Sequence, residues 1–129
     1  MGNNDIIYWI KIVDEDIRLI INADYTNSPH TTCFICQGIA EKTMKAFLLS
    51  KKWPLKKIHD LIVLATYCEE NGLDFSEYKN HIKVLNEYTV QGRYPGDIPF
   101  EEIGEKRATE AINLATELVK YVKPFISLK

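Results

Sequence analysis

Thr32-Cys33-Phe34-Ile35-Cys36-Gln37-Gly38-Ile39-Ala40-Glu41-Lys42-Thr43-Met44-Lys45-Ala46-Phe47-Leu48-Leu49 is an apolar helical stretch that carries polar residues at a regular interval. Gln37, Glu41 and Lys45 are spaced four apart, which sets them in one row along a helix. Helical phase places that row between Phe34, Met44 and Leu48, beside a packing seam. An unpartnered polar group buried there is destabilising by ~1–3 kcal/mol, so the row must be bonded or paired. It is either a structural network or a site. Gly38 inside the same helix is unfavourable by ~1 kcal/mol relative to alanine, which suggests the close approach of a helix or a ligand.

Working outward, helical periodicity recurs in five places and strand alternation in none. A first helix is expected from about Asn4 to Asp24, with Ile6, Ile10, Val13, Ile17 and Ile20 on one face. Ser28-Pro29 reads as an N-cap and a first-turn proline opening the second helix, which runs to about Lys52 before Pro54 stops it. A third helix is expected over Lys56–Asn71 with Ile58, Leu61, Ile62, Ala65 and Cys68 inward, closed by Gly72 and Leu73. Ser76 caps a fourth, carrying Tyr78, Ile82, Leu85 and Tyr88 and ending at Gly92. Pro99 opens the last, where Ala108, Ala111, Ala115, Leu118, Val122 and Phe125 form a stripe and Ile112, Val119 and Ile126 a flanking column. Glu101 and Glu102 favour its positive end. The fold class is an all-α, up-and-down bundle of about five helices, four of them long, in one domain over 1–129.

The totals agree with that class. A chain of 129 residues buries roughly two thirds of its unfolded surface, enough for one core without staples. Net charge is −2, so no global basic field demands nucleic acid. Three cysteines, no basic-then-apolar N-terminal segment and no apolar run of membrane length point to a reducing cytoplasmic setting.

Beyond the polar row, Arg93-Tyr94-Pro95-Gly96 holds a guanidinium at a helix end, because Pro95 forces Tyr94 into extended geometry. Such an arginine can clamp a phosphate or carboxylate, or simply cap its own helix. Lys51, Lys52, Trp53, Lys56, Lys57, His59 and Asp60 form a basic stretch. Its lysines could attract phosphates, although lysines at a helix end more often complement its dipole. Asp60 could orient a neighbouring helix or accept from Arg93. His30, Cys33 and Cys36 share a face, but a zinc site would need a fourth ligand and only Cys68, His59 and His81 remain, so buried structural cysteines are expected and no metal or cofactor is assigned.

Four of these segments together resemble the HEPN domain family. The helix from Cys33 to Leu48 is similar to that family's Gln-rich Ala-Glu-Lys helix, His59-Asp60-Leu61 to its His-Asp-Leu, Arg93-Tyr94-Pro95 to its turn before the last helix, and Tyr8-Trp9 with Asp16 to its first helix. The chain departs from the pattern at Gly38, where a second Gln is common, and at Ile35, where a His is. Toxin-like ribonucleases of the family carry Arg, four to six residues, then His. Here Arg18, Arg93 and Arg107 never precede His30, His59 or His81 at that separation, so metal-independent RNA cleavage lacks its acid–base and phosphate-binding pair.

The resemblance therefore implies a non-catalytic, toxin–antitoxin-related module. Such a module is a homodimer that binds a nucleotide, or positions a substrate, beside a minimal nucleotidyltransferase partner. Its ligand site would comprise Gln37, Glu41, Lys45, His59, Asp60, Arg93 and Tyr94. Arg93 would clamp phosphate, Glu41 would orient it and Gln37 would offer amide hydrogen bonds. RNA is a less favoured ligand, and no membrane partner is implied. The alternatives are a dimeric adaptor in which the polar row is only structural, and a ribonuclease using His59 or His81.

Overall fold

The computed structural model describes residues 3–22, 27–89 and 100–128. Among these residues there are five α-helices and no strand: α1 (Asn3–Asn22), α2 (Pro29–Ser50), α3 (Leu61–Glu70), α4 (Lys79–Asn86) and α5 (Glu105–Val122). Short 3-10 turns cover Phe100–Glu102 and Lys123–Phe125. No helix among the described residues is long and apolar enough to cross a membrane.

α2 is the centre of the bundle. Every residue from Thr43 to Ser50 is buried, because α1, α3 and α5 all pack around it. That explains why its second half is apolar on all sides rather than along one stripe. Against it lies the α5 stripe of Ala108, Ala111 and Ala115, each without exposed surface, followed by Leu118 and Val122. Small side chains there let the two backbones approach. α1 runs antiparallel to α2, and Asp16 Oδ2 accepts from Lys42 Nζ at 2.7 Å across the pair. Phe125 lies beyond the end of α5 in a 3-10 turn around Pro124 and is exposed, so the stripe ends at Val122.

The third helix differs most from expectation. It begins at Leu61, not Lys56, and residues 51–60 form a helix-free connection. Trp53 N donates to Leu48 O at 3.0 Å, and His59 O accepts from Gln37 Nε2 at 3.2 Å, so the connection travels back along α2. α3 then runs in the same direction as α2, and Cys68 Sγ lies 3.9 Å from Met44 O. The late start has a local cause. Asp60 is the N-cap, and its Oδ1 accepts from Ile62 N at 2.8 Å and Val63 N at 3.2 Å. Ile62, expected inside, is 53% exposed, because the inward phase is set by Leu61, Leu64, Ala65 and Cys68.

Other termini also shift. Ser28 sits at the N-cap position of α2 without a side-chain cap; its carbonyl instead accepts from Thr32 N and Thr32 Oγ1. Gly72 closes α3 at φ +94, the left-handed region, and Leu73 behind it is buried. Ser76 does not cap α4. Its N–H donates to Asp74 Oδ1, and Tyr78 takes the N-cap position. α4 ends at Asn86 and residues 87–89 form a turn, so Tyr88, expected on the helix, lies just past its end; Gly92 and the Pro99 start lie outside the described residues. Glu101 and Glu102 occupy the separate 3-10 turn, leaving Glu105 as the acid in the first turn of α5.

Candidate functional site

The polar row is a connected network. Glu41 is its hub: Oε1 accepts from Gln37 Nε2 at 3.1 Å, and Oε2 from Lys45 Nζ at 2.9 Å. His59 Nδ1 lies 3.0 Å from the same Oε2. Gln37 and Lys45 are 1% and 4% exposed, whereas the His59 side chain is 56% exposed. The network thus runs from the core beside Met44 and Leu48 to an imidazole at the surface.

Each member follows from the fold. The four-residue spacing stacks Gln37, Glu41 and Lys45 along α2. The returning connection brings His59 over them, and Gln37 Nε2 holds that connection by its His59 carbonyl. Burial alone pushes the Glu41 carboxyl up, but hydrogen bonds from Lys45, Gln37 and His59 outweigh it, so the group lies below its usual value of 4.5. Glu41 is therefore an anion at neutral pH and can only accept. His59 Nδ1 must then carry the proton, which leaves Nε2 as the ring position without a protein partner among the described residues. Such a ring can donate to or accept from a ligand, or carry a proton.

Asp60 lies next in sequence but turns to another task. Besides capping α3, its Oδ1 accepts from Asn86 Nδ2 at 3.4 Å, while Asn86 Oδ1 accepts from Leu61 N at 2.8 Å. The His59-Asp60-Leu61 segment therefore ties α2, the start of α3 and the end of α4 at one point.

Residues 8–125 match the HEPN domain family. The chain belongs to the HEPN family. No curated protein and no solved structure matches it.

In this HEPN domain the structure brings together Gln37, Glu41, Lys45 and His59, with Asp60 adjoining, from the residues singled out in the sequence. Arg93 and Tyr94 lie outside the described residues. Gly38 is not explained by close approach among the described residues: a Cβ placed there meets only Lys42 Nζ of these, at 3.8 Å. Lys56 and Lys57 are not in a helix, so they complement no helix dipole; Lys56 Nζ lies instead over the Trp53 and Tyr67 rings.

Cys33, Cys36 and Cys68 are free and buried, and no group of three His, Cys, Asp or Glu side chains among the described residues could hold a metal ion. Desolvation pushes the Cys33 thiol up to about 11 and those of Cys36 and Cys68 to about 12, so all three are protonated at neutral pH.

A second polar chain was not visible in the sequence. Arg107 Nη1 on α5 donates to Glu87 Oε2 at 3.2 Å and reaches Tyr88 Oη at 3.5 Å. Burial, above all, raises the Tyr88 phenol to about 12. Arginine and tyrosine at these positions carry no spacing signal, because the contacts join α5 to the turn after α4, about twenty residues away in sequence.

Proposed function

We propose that this HEPN domain breaks no bonds itself and binds a nucleotide, or positions a substrate for a minimal nucleotidyltransferase partner, through the His59 end of the Gln37–Glu41–Lys45 network. One observation carries the reading: an imidazole 56% exposed is fixed by a carboxylate that is itself held by a buried lysine and a buried amide. A surface histidine needs no such support for packing. A preorganised ring does need it to meet a ligand at one geometry.

In this reading the roles divide by exposure. His59 Nε2 meets the ligand. Glu41 sets the imidazole's tautomer and orientation. Lys45 keeps Glu41 ionised, and Gln37 anchors both Glu41 and the connection, since its Nε2 bonds are made internally. Asp60 fixes the connection to α3 and α4. Arg93 supplies the phosphate clamp and Tyr94 stands beside it, as the family resemblance implies. The missing Arg-to-His spacing supports a binding role over RNA cleavage.

The test is calorimetric titration of purified protein with ATP and GTP, with Arg93→Ala alongside. Saturable heat lost in Arg93→Ala supports the reading. No heat with either nucleotide, alone or with the nucleotidyltransferase present, removes it. In that case the remaining reading is a dimeric adaptor with a purely structural network, which the internal bonds of Gln37 and the burial of Lys45 favour.

A further inference from the structure

Asn86, the last residue of α4, completes the segment that carries His59. The first N–H groups of α3 have no partner inside the helix and must find one elsewhere. Those of Ile62 and Val63 donate to Asp60 Oδ1. The N–H of Leu61, a residue with no exposed surface, donates to Asn86 Oδ1 at 2.8 Å, from 25 residues away. The amide is itself held in one orientation. Its Oδ1 also accepts from Thr89 Oγ1 at 3.0 Å, so the oxygen faces two donors and Nδ2 is left to donate to Asp60 Oδ1 at 3.4 Å. The residue after it, Glu87, braces this end of α4 against α5 by accepting from Arg107 Nη1.

The consequence falls on His59. Its carbonyl accepts from Gln37 and its Nδ1 meets Glu41, and both of those side chains stand on α2. Two attachments to one helix leave the segment a rotation about the line between them. A third attachment from another helix removes it, and Asn86 supplies that point through Leu61 N and Asp60. The ring needs it, because its side chain is more than half exposed and packing supplies little support.

We propose that Asn86 is a positioning residue for the His59 site: it touches no ligand, and it acts through Asp60 and Leu61 to hold the imidazole against Glu41. The effect on ligand affinity rests on the reading of His59 as the ligand-meeting group. The effect on the ring does not.

The experiment reads the protonated nitrogen of the His59 ring by imidazole nitrogen NMR in mildly alkaline buffer. The proteins are wild type, Asn86→Ala, Asn86→Asp, and the exchanged pair Asp60→Asn with Asn86→Asp. Asn71→Ala is the control at the opposite end of α3, where Asn71 Nδ2 donates to Tyr67 O. Wild type keeps the proton on Nδ1. Asn86→Ala, and Asn86→Asp, which sets two carboxylates against each other, spread it over both nitrogens. Asn86→Asp keeps an acceptor for Leu61 N, so it tests the same point if Asn86→Ala costs too much of the fold. The exchanged pair restores one donor facing one acceptor and returns the proton to Nδ1, while Asn71→Ala leaves it there. Calorimetry with ATP on the same proteins shows affinity lower by roughly two- to ten-fold in the two single variants. A wild-type tautomer in both Asn86 variants, an equal disturbance in Asn71→Ala, or no recovery in the exchanged pair overturns the proposal. No heat from wild type with ATP, beside a displaced tautomer in the Asn86 variants, removes the nucleotide site and still supports Asn86 as the residue that positions the ring.

Discussion

Glu41 Oε2 accepts from Lys45 Nζ at 2.9 Å while lying 3.0 Å from His59 Nδ1, so one carboxylate oxygen joins a buried ammonium to an exposed imidazole. This shared oxygen makes the network both a stability element and the foundation of the proposed site. The two roles separate by experiment.

Glu41→Gln removes the anion but keeps the shape, leaving Lys45 buried without its counter-charge. Loss of one partner of a buried pair costs roughly 3–5 kcal/mol. Urea denaturation at pH 7 should show a destabilisation of that order. The Glu41 carboxyl is held below its ordinary 4.5 in the folded protein, so its stabilisation is complete above that pH and is lost as pH falls through the lowered value. The gap between wild type and Glu41→Gln should therefore narrow on acidification below about pH 4.5. A gap constant from pH 7 to pH 3 would show that the ion pair contributes nothing.

Asp60→Ala removes the cap of α3 and the acceptor for Asn86 together, and should cost about 1–2 kcal/mol. Asp60→Asn keeps an oxygen for Ile62 N and should retain most of that. Equal losses in the two variants would mean that capping is not what Asp60 provides.

Gly38→Ala should stabilise the protein by up to ~1 kcal/mol, since the new methyl group meets only the flexible end of Lys42. A thermal melt reads this directly. Destabilisation would reveal a contact beyond those among the described residues, such as one across a second copy.

Cys33, Cys36 and Cys68 should not react with a thiol reagent such as DTNB in the native protein at pH 8, and all three should react in urea. Their thiols are raised by burial and closed to solvent, so a fast native phase would contradict the packing around α2.

Helix placement was legible because periodicity is a local signal: Ile6, Val13 and Ile20, or Ala108 through Val122, face inward as their spacing requires. The Gln37–Glu41–Lys45 row was legible for the same reason. What failed was decided by tertiary geometry or by competition at helix ends. Periodicity carried α3 back to Lys56 because Ile58 and Leu61 keep helical spacing, yet Asp60 takes the cap and Lys56 to His59 follow α2 instead. Ile62 keeps helical spacing with Ile58 and Ala65, yet with Ile58 outside the helix the inward phase is that of Leu61, Leu64 and Cys68. The contact of Gln37 with the His59 carbonyl, and those of Arg107 with Glu87 and Tyr88, join segments far apart in sequence and leave no local trace.

The most direct test of the ligand site uses the three histidines as internal probes. Imidazole resonances of the wild-type protein are followed by NMR while ATP is added, with Glu41→Gln as comparison. His59 should shift saturably while His30 and His81 stay fixed, and the response should weaken in Glu41→Gln, where the ring has lost its anionic partner. If His59 does not move at saturating nucleotide, or if binding perturbs His81 beside Glu117 instead, the network is structural and the nucleotide-site account is wrong.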